Sequence, residues 1–359
     1  MTSWRPSSVW VERSALDFPM VERVRALLPG VPWYVVEHAR EAECSDFAEG
    51  KQRLVLARRH GSFLQHCPAG TPGLVCCNYL VVQLGANCPF DCSYCFLQEY
   101  LATSPALKLF VNVADALEEV EDVLRAHPQR RLRIGTGELI DSLALDHISG
   151  HSEMLVPFFA RHPNAVLELK TKSAAVEGVL AQPAAENIVV SWSLNAPSVI
   201  AGDEPGTASL AARLAAAARV QAAGFRVGFH FDPLLAFPGW EEEYEQVIRE
   251  LEATVDARRV AWISLGHLRL TPGLKDRIKE RGRASWVLWG ELVPNADGKL
   301  RAWRGLRVKM YRQLLWRLRA WDERIPLYIC MEPAGVWEKT FGTAPTDREV
   351  AARLLAEGV

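Results

Sequence analysis

Short apolar runs alternate with amphipathic, Ala- and Leu-rich segments from Tyr79 to His267. The apolar runs predict six β-strands, at residues 79–85, 131–136, 165–169, 188–193, 226–231 and 260–266. Their near-continuous hydrophobicity is typical of a parallel sheet covered by helices on both faces. The segments between them predict helices at residues 113–127, 153–161, 174–181, 208–223 and 240–253. Right-handed crossovers would then give an α/β fold, a partial (β/α)6 TIM-like barrel with its functional loops on one rim.

The segments on either side of this block predict a cap and an extension. Residues 1–78 have mixed patterning and include the loop-like stretch CPAGTPG, so we expect an N-terminal cap before a barrel at residues 79–285. Residues 286–359 would form a C-terminal basic hairpin and helical extension. In it, residues 286–303 predict a hairpin with the turn NADGK, and residues 306–321 predict a long helix. The run PLYIC predicts one more buried strand, ending at Cys330, before a terminal helix.

Composition and charge exclude several classes of protein. The chain has 359 residues, of which 49% are hydrophobic, and 41 basic against 43 acidic residues give a net charge of −2. These values exclude collagen-like and disordered chains, and they argue against coating nucleic acid by bulk electrostatics. No apolar run approaches the roughly 18 residues of a membrane span, and the N-terminus lacks a signal-peptide pattern. We therefore expect a cytoplasmic protein without a membrane partner.

The cysteines suggest metal or redox chemistry. Seven of the eight lie within the first hundred residues, a crowding that favours such chemistry over disulfides in a cytoplasmic chain. Cys88, Cys92 and Cys95 have the spacing C-x3-C-x2-C directly after the first predicted strand. Three thiolates on a [4Fe-4S] cluster leave one iron open to a small molecule, which indicates catalysis. The alternative is a structural zinc site, which normally has four closed ligands.

The chain resembles the radical S-adenosylmethionine superfamily, whose signature is this cysteine triplet after the first strand of a partial barrel. Within the superfamily it is most similar to the spore photoproduct lyase family of DNA repair enzymes. The similarity runs from about Cys67 to the C-terminus and rests on NCPFDCSYCFLQ, SLALDH, LKTKS, SWSLNA, EPGT, AAGFRVGFHFDPL and GWEEEY. It implies a [4Fe-4S] cluster, S-adenosylmethionine cleaved to a 5′-deoxyadenosyl radical, and an electron donor such as flavodoxin or ferredoxin.

The resemblance also implies roles for residues in the cofactor site. Phe96 would stack near the adenine, and Glu138 would accept a hydrogen bond from the methionyl amino group. Lys172 would meet the cofactor carboxylate, with help from Arg213. The remaining candidates are Gly135, Thr136 and Gly137 after the second strand, and Ser193 and Asn195 facing the ribose and methionine. Capping or surface roles are the alternative for each.

The sequence departs from the family at the hydrogen-donating positions. The lyases carry a donor cysteine just after the second strand, where this chain has Gly135-Thr136-Gly137. They also have a tyrosine directly after the last cluster cysteine, where this chain has Phe96, although Tyr94 remains. Cys330 is the candidate replacement donor, and the alternative is a buried small hydrophobe. For Cys67, Cys76 and Cys77 we expect packing or substrate contact, with a second metal site as the alternative.

Residues near the rim and in the extension are substrate candidates. His230 and Asp232 end the fifth predicted strand, and His267 and Arg269 end the sixth, with loop hydrogen bonding as the alternative role. Eight Lys and Arg residues interleave with tryptophans from about residue 286 to 321, a combination suited to bases and phosphates, or else a solvated helix face. The candidates in this segment are Lys299, Arg301 and Arg304.

These observations lead to one principal hypothesis and two alternatives. The principal one is a radical S-adenosylmethionine enzyme, lyase-like, acting on a DNA photolesion or a related pyrimidine substrate, with duplex DNA as a partner. The first alternative is a radical enzyme that modifies a small metabolite or peptide, which the missing donor cysteine favours. The second is a non-catalytic metal-binding module.

Overall fold

The computed structural model of the protein describes residues 4–67, 71–101, 104–295 and 297–355. Part of the predicted loop CPAGTPG, residues 68–70, and Ala296 of the predicted turn NADGK lie outside the described residues. In the described part of the chain, no helix is both long enough and apolar enough to cross a membrane.

The chain forms strands throughout its length. In chain order they are β1 (Ser8–Glu12), β2 (Trp33–Val36), β3 (Arg53–Ala57), β4 (Leu64–His66), β5 (Leu80–Val82), β6 (Gly85–Ala86), β7 (Leu107–Phe110), β8 (Leu132–Gly135), β9 (Ala165–Thr171), β10 (Ile188–Ser193), β11 (Arg226–Leu234), β12 (Val260–His267), β13 (Arg269–Leu270), β14 (Leu292–Pro294), β15 (Leu300–Ala302) and β16 (Leu327–Ile329).

Helices connect most of these strands. They are α1 (Pro19–Leu27), α2 (Phe47–Gly50), α3 (Leu97–Tyr100), α4 (Val113–Ala126), α5 (Asp146–Ser149), α6 (His151–Ala160), α7 (Glu177–Leu180), α8 (Pro197–Asp203), α9 (Leu210–Ala222), α10 (Trp240–Thr254), α11 (Pro272–Glu280), α12 (Arg304–Trp321), α13 (Ala334–Phe341) and α14 (Asp347–Leu355). Short 3-10 turns lie at Arg13–Ala15, Ala39–Ala42, Ala257–Arg259 and Trp286–Leu288.

The central sheet has eight strands in the order β16-β12-β11-β10-β9-β8-β5-β4. All neighbours are parallel except β4, which runs antiparallel to β5 at the edge. All six predicted strands are present, and β16 is the additional buried strand predicted before Cys330. Because successive strands lie side by side in chain order, the sheet curls as an open barrel and its crossover helices pack outside. The predicted partial α/β barrel is confirmed.

Apolar side chains hold the sheet and its helices together. Ile188, Val189 and Val190 of β10 are fully buried, as a strand between two covered faces requires. Small residues such as Ala216 and Ala217 on α9 are buried too, and they let that helix approach the sheet closely. The result is that the carboxyl ends of the strands, with their loops, are held rigidly on one rim.

A second sheet, which the sequence did not reveal, combines three N-terminal strands with β6 and β7 from the range predicted as barrel. Its strand order is β2-β1-β3-β7-β6, with β1, β2, β3 and β7 parallel. Strands of four or five residues are too short for a clear two-residue period, so their pattern looked mixed. The sheet matters for the site because β6 leads directly into the cysteine triplet.

Two predicted elements differ in the structure. The helix predicted at residues 174–181 is only the single turn α7, since the Ser173 hydroxyl accepts from the backbone N–H of Ala175 and starts a loop. The predicted hairpin is also shorter than residues 286–303. Ser285 caps a 3-10 turn at its start, and Gly290, with φ of 78°, turns the chain before β14. The remaining hairpin, β14 and β15, also pairs with β13.

Candidate active site

The three cysteines of the triplet lie on one loop between β6 and α3. Cys92 is buried, and Cys88 and Cys95 are half-buried. Lys51 of the N-terminal sheet region donates from Nζ to the carbonyl oxygens of Cys88, at 2.6 Å, and Phe90, at 3.1 Å. Gln98 donates to the carbonyl of Cys92 at 2.8 Å. The loop is therefore held by its backbone, which leaves the thiols free for other chemistry.

The environment of these thiols fits an iron–sulfur cluster. Burial raises the pKa of Cys88 to about 12, and it also raises the pKa of Cys92 and of Cys95. Such thiols become ligands only where a metal supplies positive charge, which deprotonates a coordinating thiol outright. In the described residues no three His, Cys, Asp or Glu side chains converge as ligands of one metal ion would. The ligands of a cluster bind separate irons, so the three thiols need not converge on one point to hold it.

The cysteine loop packs against the segment that contains Glu204. The backbone N–H of Ser93 donates to the carbonyl of Asp203 at 2.8 Å, and that of Asp91 donates to Pro205 at 3.0 Å. The Tyr94 hydroxyl donates to Glu204 itself. Three residues of the cysteine loop thus bind the segment around Glu204, which fixes the loop relative to that segment.

Glu204 is a buried carboxylate surrounded by cations. Its Oε1 lies 3.6 Å from Nζ of Lys172, and its other oxygen accepts from Arg213. Burial raises the pKa of Glu204, but Lys172 and Arg213 outweigh burial and lower it to about 2. Burial raises the pKa of Cys92, and the charge of Lys172 partly offsets that effect. Lys172 therefore lies between the cysteine loop and the Glu204 carboxylate.

Arg213 and Asn195 support this network from behind. Arg213 is fully buried, and its guanidinium donates to Glu204, Thr207 and the carbonyls of Ala208 and Ser193. Asn195 donates to the carbonyl of Pro233 and accepts from the Tyr244 hydroxyl at 2.7 Å. Both side chains are already engaged within the protein. The structure thus places Arg213 and Asn195 as supports of Glu204 and Ser193.

The end of β8 is tightly packed. A Cβ atom on Gly135 would lie 1.8 Å from the hydroxyl oxygen of Tyr79, so only glycine fits there. That hydroxyl is buried and has no hydrogen-bond partner among the described residues. Thr136 donates to the Ser142 hydroxyl at 2.8 Å, and Glu138 pairs with Lys170 at 2.5 Å. Tyr79 thus fills the space that a side chain at residue 135 would need. Residue 135 belongs to the stretch in which this chain lacks the donor cysteine.

A buried network in the barrel centre was missed by sequence reasoning. Glu168 on β9 accepts from Arg133 at 2.7 Å, from His230 at 2.7 Å and from Ser191 at 2.8 Å. Burial opposes ionisation, but Arg133 and His230 hold the pKa of Glu168 well below its usual range. Tyr328 also contacts Arg133 through its hydroxyl at 3.1 Å. The sequence does contain one sign of this network, which is the single charged residue in the apolar run AVLEL. A buried carboxylate needs partners, so Glu168 could have been predicted to have them.

The substrate candidates near the ends of β11 and β12 lie in different environments. Asp232 forms a bidentate pair with Arg269, at 2.9 and 3.0 Å. A Cβ atom on Gly266 would lie 2.6 Å from this carboxylate, so glycine is required at that position. Arg269 also donates to the carbonyl of Cys330, at 3.3 Å. His230 belongs to the buried Glu168 network, whereas His267 lines a separate cavity.

Four of the five remaining cysteines, Cys67, Cys76, Cys77 and Cys330, lie near one another. Burial raises the pKa of Cys330 to about 12, and charges on Arg269, Asp232 and Glu138 also act on it. A hydrogen bond with Cys77 lowers the pKa of Cys76 to about 7. Cys77 lies near Arg133 and Glu168. Packing or substrate contact stays the prediction for Cys67, Cys76 and Cys77.

The basic C-terminal segment is partly neutralised. Arg301 is buried and binds Asp297 and the carbonyl of Met331, while buried Arg307 pairs with Glu332. Arg317 pairs with Glu245 and Glu252, and Lys309 pairs with Glu241. Four of the eight Lys and Arg residues of this segment are therefore paired with carboxylates in the fold. Among the three candidates in this segment, Arg304 is exposed at the start of α12, and Lys299 is half-buried.

Comparison with known proteins identifies the family. A sequence model described as spore photoproduct lyase matches residues 4–283. Relatives named spore photoproduct lyase include one from Bacillus subtilis (strain 168), 27% identical over 70% of this chain and 74% of the relative. Another, from Geobacillus sp. (strain Y412MC61), is 25% identical over 75% of this chain and 78% of the relative.

Solved structures show the same fold. A spore photoproduct lyase with bound AdoMet and dinucleoside spore photoproduct superposes with a TM-score of 0.79 at 21% identity. The match covers 91% of this chain and 99% of that chain. The resemblance inferred from the cysteine triplet and the downstream motifs is thus confirmed. The chain belongs to the spore photoproduct lyase family of radical S-adenosylmethionine enzymes.

Proposed function

We propose that the protein is a radical S-adenosylmethionine lyase that repairs a thymine photolesion in DNA. The observation that carries the proposal is the direct contact between the cysteine loop and the Glu204 segment. It brings three unmodified thiols and the cation Lys172 to one place on the rim. A [4Fe-4S] cluster requires thiolate ligands, and the carboxylate of S-adenosylmethionine requires a cation. Here the thiols and the cation lie side by side.

We assign a separate role to each residue of the site. Cys88, Cys92 and Cys95 would hold a [4Fe-4S] cluster, which when bound would supply the electron for reductive cleavage of S-adenosylmethionine. Lys172 binds the cofactor carboxylate, and Glu204 holds the lysine in place. Ser193, at the end of β10, faces the same rim. Phe96, which is 39% exposed, is available to stack on the adenine.

Cys330 is the proposed hydrogen donor to the product radical. It is half-buried directly after β16, and its neighbours Asp232, Arg269 and Glu138 all lie at the rim. The end of β8 is closed to a donor side chain because Tyr79 fills the space beside Gly135. The hydrogen bond to Glu204 fixes the position of the Tyr94 hydroxyl, and from there Tyr94 would take part in hydrogen-atom transfer.

The substrate class follows from the family and from exposed aromatic groups. The solved relatives include one complexed with dinucleoside spore photoproduct. In this chain Trp289 is 55% exposed and Trp303 is 66% exposed, and both flank the hairpin beside Arg304. Exposed aromatic and cationic groups together suit unstacked bases and phosphates. The closed end of β8 favours the second candidate, a radical enzyme that modifies a small metabolite or peptide.

The proposal extends to an electron donor and a compartment. All eight cysteines are free thiols in the structure, as a reducing environment requires. We therefore place the enzyme in the cytoplasm, with a flavodoxin or ferredoxin as the reductant.

Turnover of dinucleoside spore photoproduct tests the proposed function. Reconstituted protein should release thymidine from it in the presence of S-adenosylmethionine and dithionite under anaerobic conditions. Cofactor cleavage without thymidine, in a protein with a full cluster, would contradict the DNA repair function and favour the second candidate.

A further inference from the structure

A cavity beside the rim is not used by the chemistry described above. Its volume is about 360 Å³, within the range of small-molecule sites. The loop after β11, the end of β12, and the residues around the 3-10 turn at Trp286–Leu288 enclose it. Its aromatic walls are Phe237, Trp240, Trp286 and Trp289.

The aromatic rings form a stacking surface. The Phe237 and Trp286 rings lie 5.1 Å apart at 33°, and Trp286 and Trp289 lie 5.7 Å apart edge to face. Trp240 and Trp286 are largely covered, whereas Trp289 is 55% exposed at the cavity. A planar molecule would therefore enter past Trp289 and stack against fixed rings.

Two polar residues, His267 and the exposed Glu291, are part of the otherwise apolar lining, and His267 has a buried nitrogen without a partner among the described residues. His267 is only 3% exposed, and its Nε2 has no hydrogen-bond partner among the described residues. Its Nδ1 lies 3.4 Å from the carbonyl of Leu268. An unsatisfied buried nitrogen is unfavourable, so a group that binds in the cavity would stabilise it.

The protonation state of His267 defines what it binds. Burial lowers the pKa of His267 to about 3, so the imidazole is neutral at pH 7. The Nδ1 hydrogen then donates to the carbonyl of Leu268, and Nε2 carries a lone pair. The matching group on a ligand is therefore a hydrogen-bond donor. A planar ring with an N–H donor on its edge is the chemistry of a nucleobase.

We propose that this cavity holds an unpaired nucleobase of the DNA substrate, stacked on its tryptophans and donating to Nε2 of His267. The inference rests on the proposed function, because the base belongs to the strand that carries the lesion. Position supports it, since Asp232 and His267 lie near the carboxyl ends of the neighbouring strands β11 and β12. Arg304 is exposed at the first residue of α12, two residues before Leu306 of the cavity wall, and is a candidate for a phosphate contact.

Binding of an abasic probe tests the inference. The probes are a fluorescein-labelled single-stranded 10-mer and a 10-mer of the same backbone that is abasic at every position, measured by anisotropy with the reconstituted protein. We expect the intact probe to bind at least about 5-fold more tightly, since stacking and its hydrogen bond depend on the base. Equal affinity for both probes would overturn the inference.

Three variants test whether the difference in affinity between the two probes arises in the cavity. Trp289→Ala, at an exposed position that tolerates truncation, should abolish the preference for the intact probe. His267→Phe should reduce the preference, and its thermal unfolding checks that it folds. Tyr34→Ala removes an exposed aromatic side chain of the N-terminal sheet and serves as the matched control. A full preference retained in Trp289→Ala would overturn the inference.

Two further outcomes separate this inference from the proposed function. Free thymidine that displaces the intact probe at micromolar concentration would overturn the assignment to a base in DNA, because it would indicate a nucleoside site. Thymidine release from the photoproduct without any abasic discrimination would overturn only the inference. Discrimination without lesion turnover would support the cavity and contradict the repair function.

Discussion

The Nζ atom of Lys172 lies 3.6 Å from Oε1 of Glu204, and both side chains adjoin the loop that carries the cysteine triplet. Glu204 also accepts from the Tyr94 hydroxyl and from the buried Arg213. One carboxylate thus positions both the cation proposed for the cofactor and a residue next to two cluster cysteines. Loss of this carboxylate should therefore affect both.

Lys172→Met should weaken S-adenosylmethionine binding by about 10-fold or more, because a charge-assisted contact contributes roughly 1.5–3 kcal/mol. Iron content should stay at the unmodified level, since Lys172 does not donate to the cysteine loop. Isothermal titration of the reconstituted protein measures the change. Lys339→Met, at an exposed position on α13, is the control. Unchanged affinity in Lys172→Met would mean that the carboxylate binds elsewhere.

Cys330→Ala should leave cofactor cleavage intact and change the fate of the product. Without a nearby thiol the product radical would be quenched by other donors, so we expect thymidine yield to fall and new adducts to form. Liquid chromatography with mass detection measures both. Cys44→Ala, in the N-terminal sheet region, is the matched control. An unaltered product distribution in Cys330→Ala would exclude Cys330 as the donor.

The tight packing at the end of β8 predicts a stability effect. Gly135→Ala places a methyl group against the Tyr79 hydroxyl, and overpacking of this kind destabilises by about 1–3 kcal/mol. Tyr79→Leu should relieve the clash, so the double variant should lose less stability than the sum of the two single variants. Urea unfolding measures the free energies. Simple additivity would show that Tyr79 does not restrict this position.

Buried histidines predict acid sensitivity. Burial lowers the pKa of His151 to about 4, below its ordinary value of about 6.5. The folded state then binds fewer protons, so the stabilisation from neutral His151 is complete above pH 6.5 and declines as pH falls toward 4. His151→Phe should flatten the decline in unfolding free energy by up to about 1.4 kcal/mol per pH unit. His127→Phe, at an exposed position, should leave the slope unchanged, and an unaltered slope in both would refute the assignment.

The barrel was predictable because its strands depend on a local signal. Continuous apolar runs identified the strands, and β10 agrees at both ends with the prediction. The spacing of Cys88, Cys92 and Cys95 predicts cluster ligands, and the structure places all three on one short loop. The motif EPGT contains Glu204, but sequence reasoning assigned this residue no role, because its interaction with Lys172 depends on two distant segments.

Other features depend on tertiary contacts that no local pattern contains. Glu168 meets Arg133 and His230 only because β8, β9 and β11 are brought together in the sheet. Arg301 and Arg307 appeared to belong to a cationic surface, but both are buried against acidic partners. The cavity at His267 is enclosed by segments on both sides of the hairpin. Charge counts along a sequence do not show which cations are neutralised in the fold.

Transfer of substrate deuterium tests the central claim most directly. Dinucleoside spore photoproduct, deuterated throughout its thymines, would be incubated anaerobically with the reconstituted protein, S-adenosylmethionine and dithionite. The account predicts deuterium in the 5′-deoxyadenosine, detected by mass, together with thymidine, and neither product in the variant Cys88→Ala/Cys92→Ala/Cys95→Ala. Unlabelled 5′-deoxyadenosine formed beside intact photoproduct would contradict the claim that this lesion is the substrate.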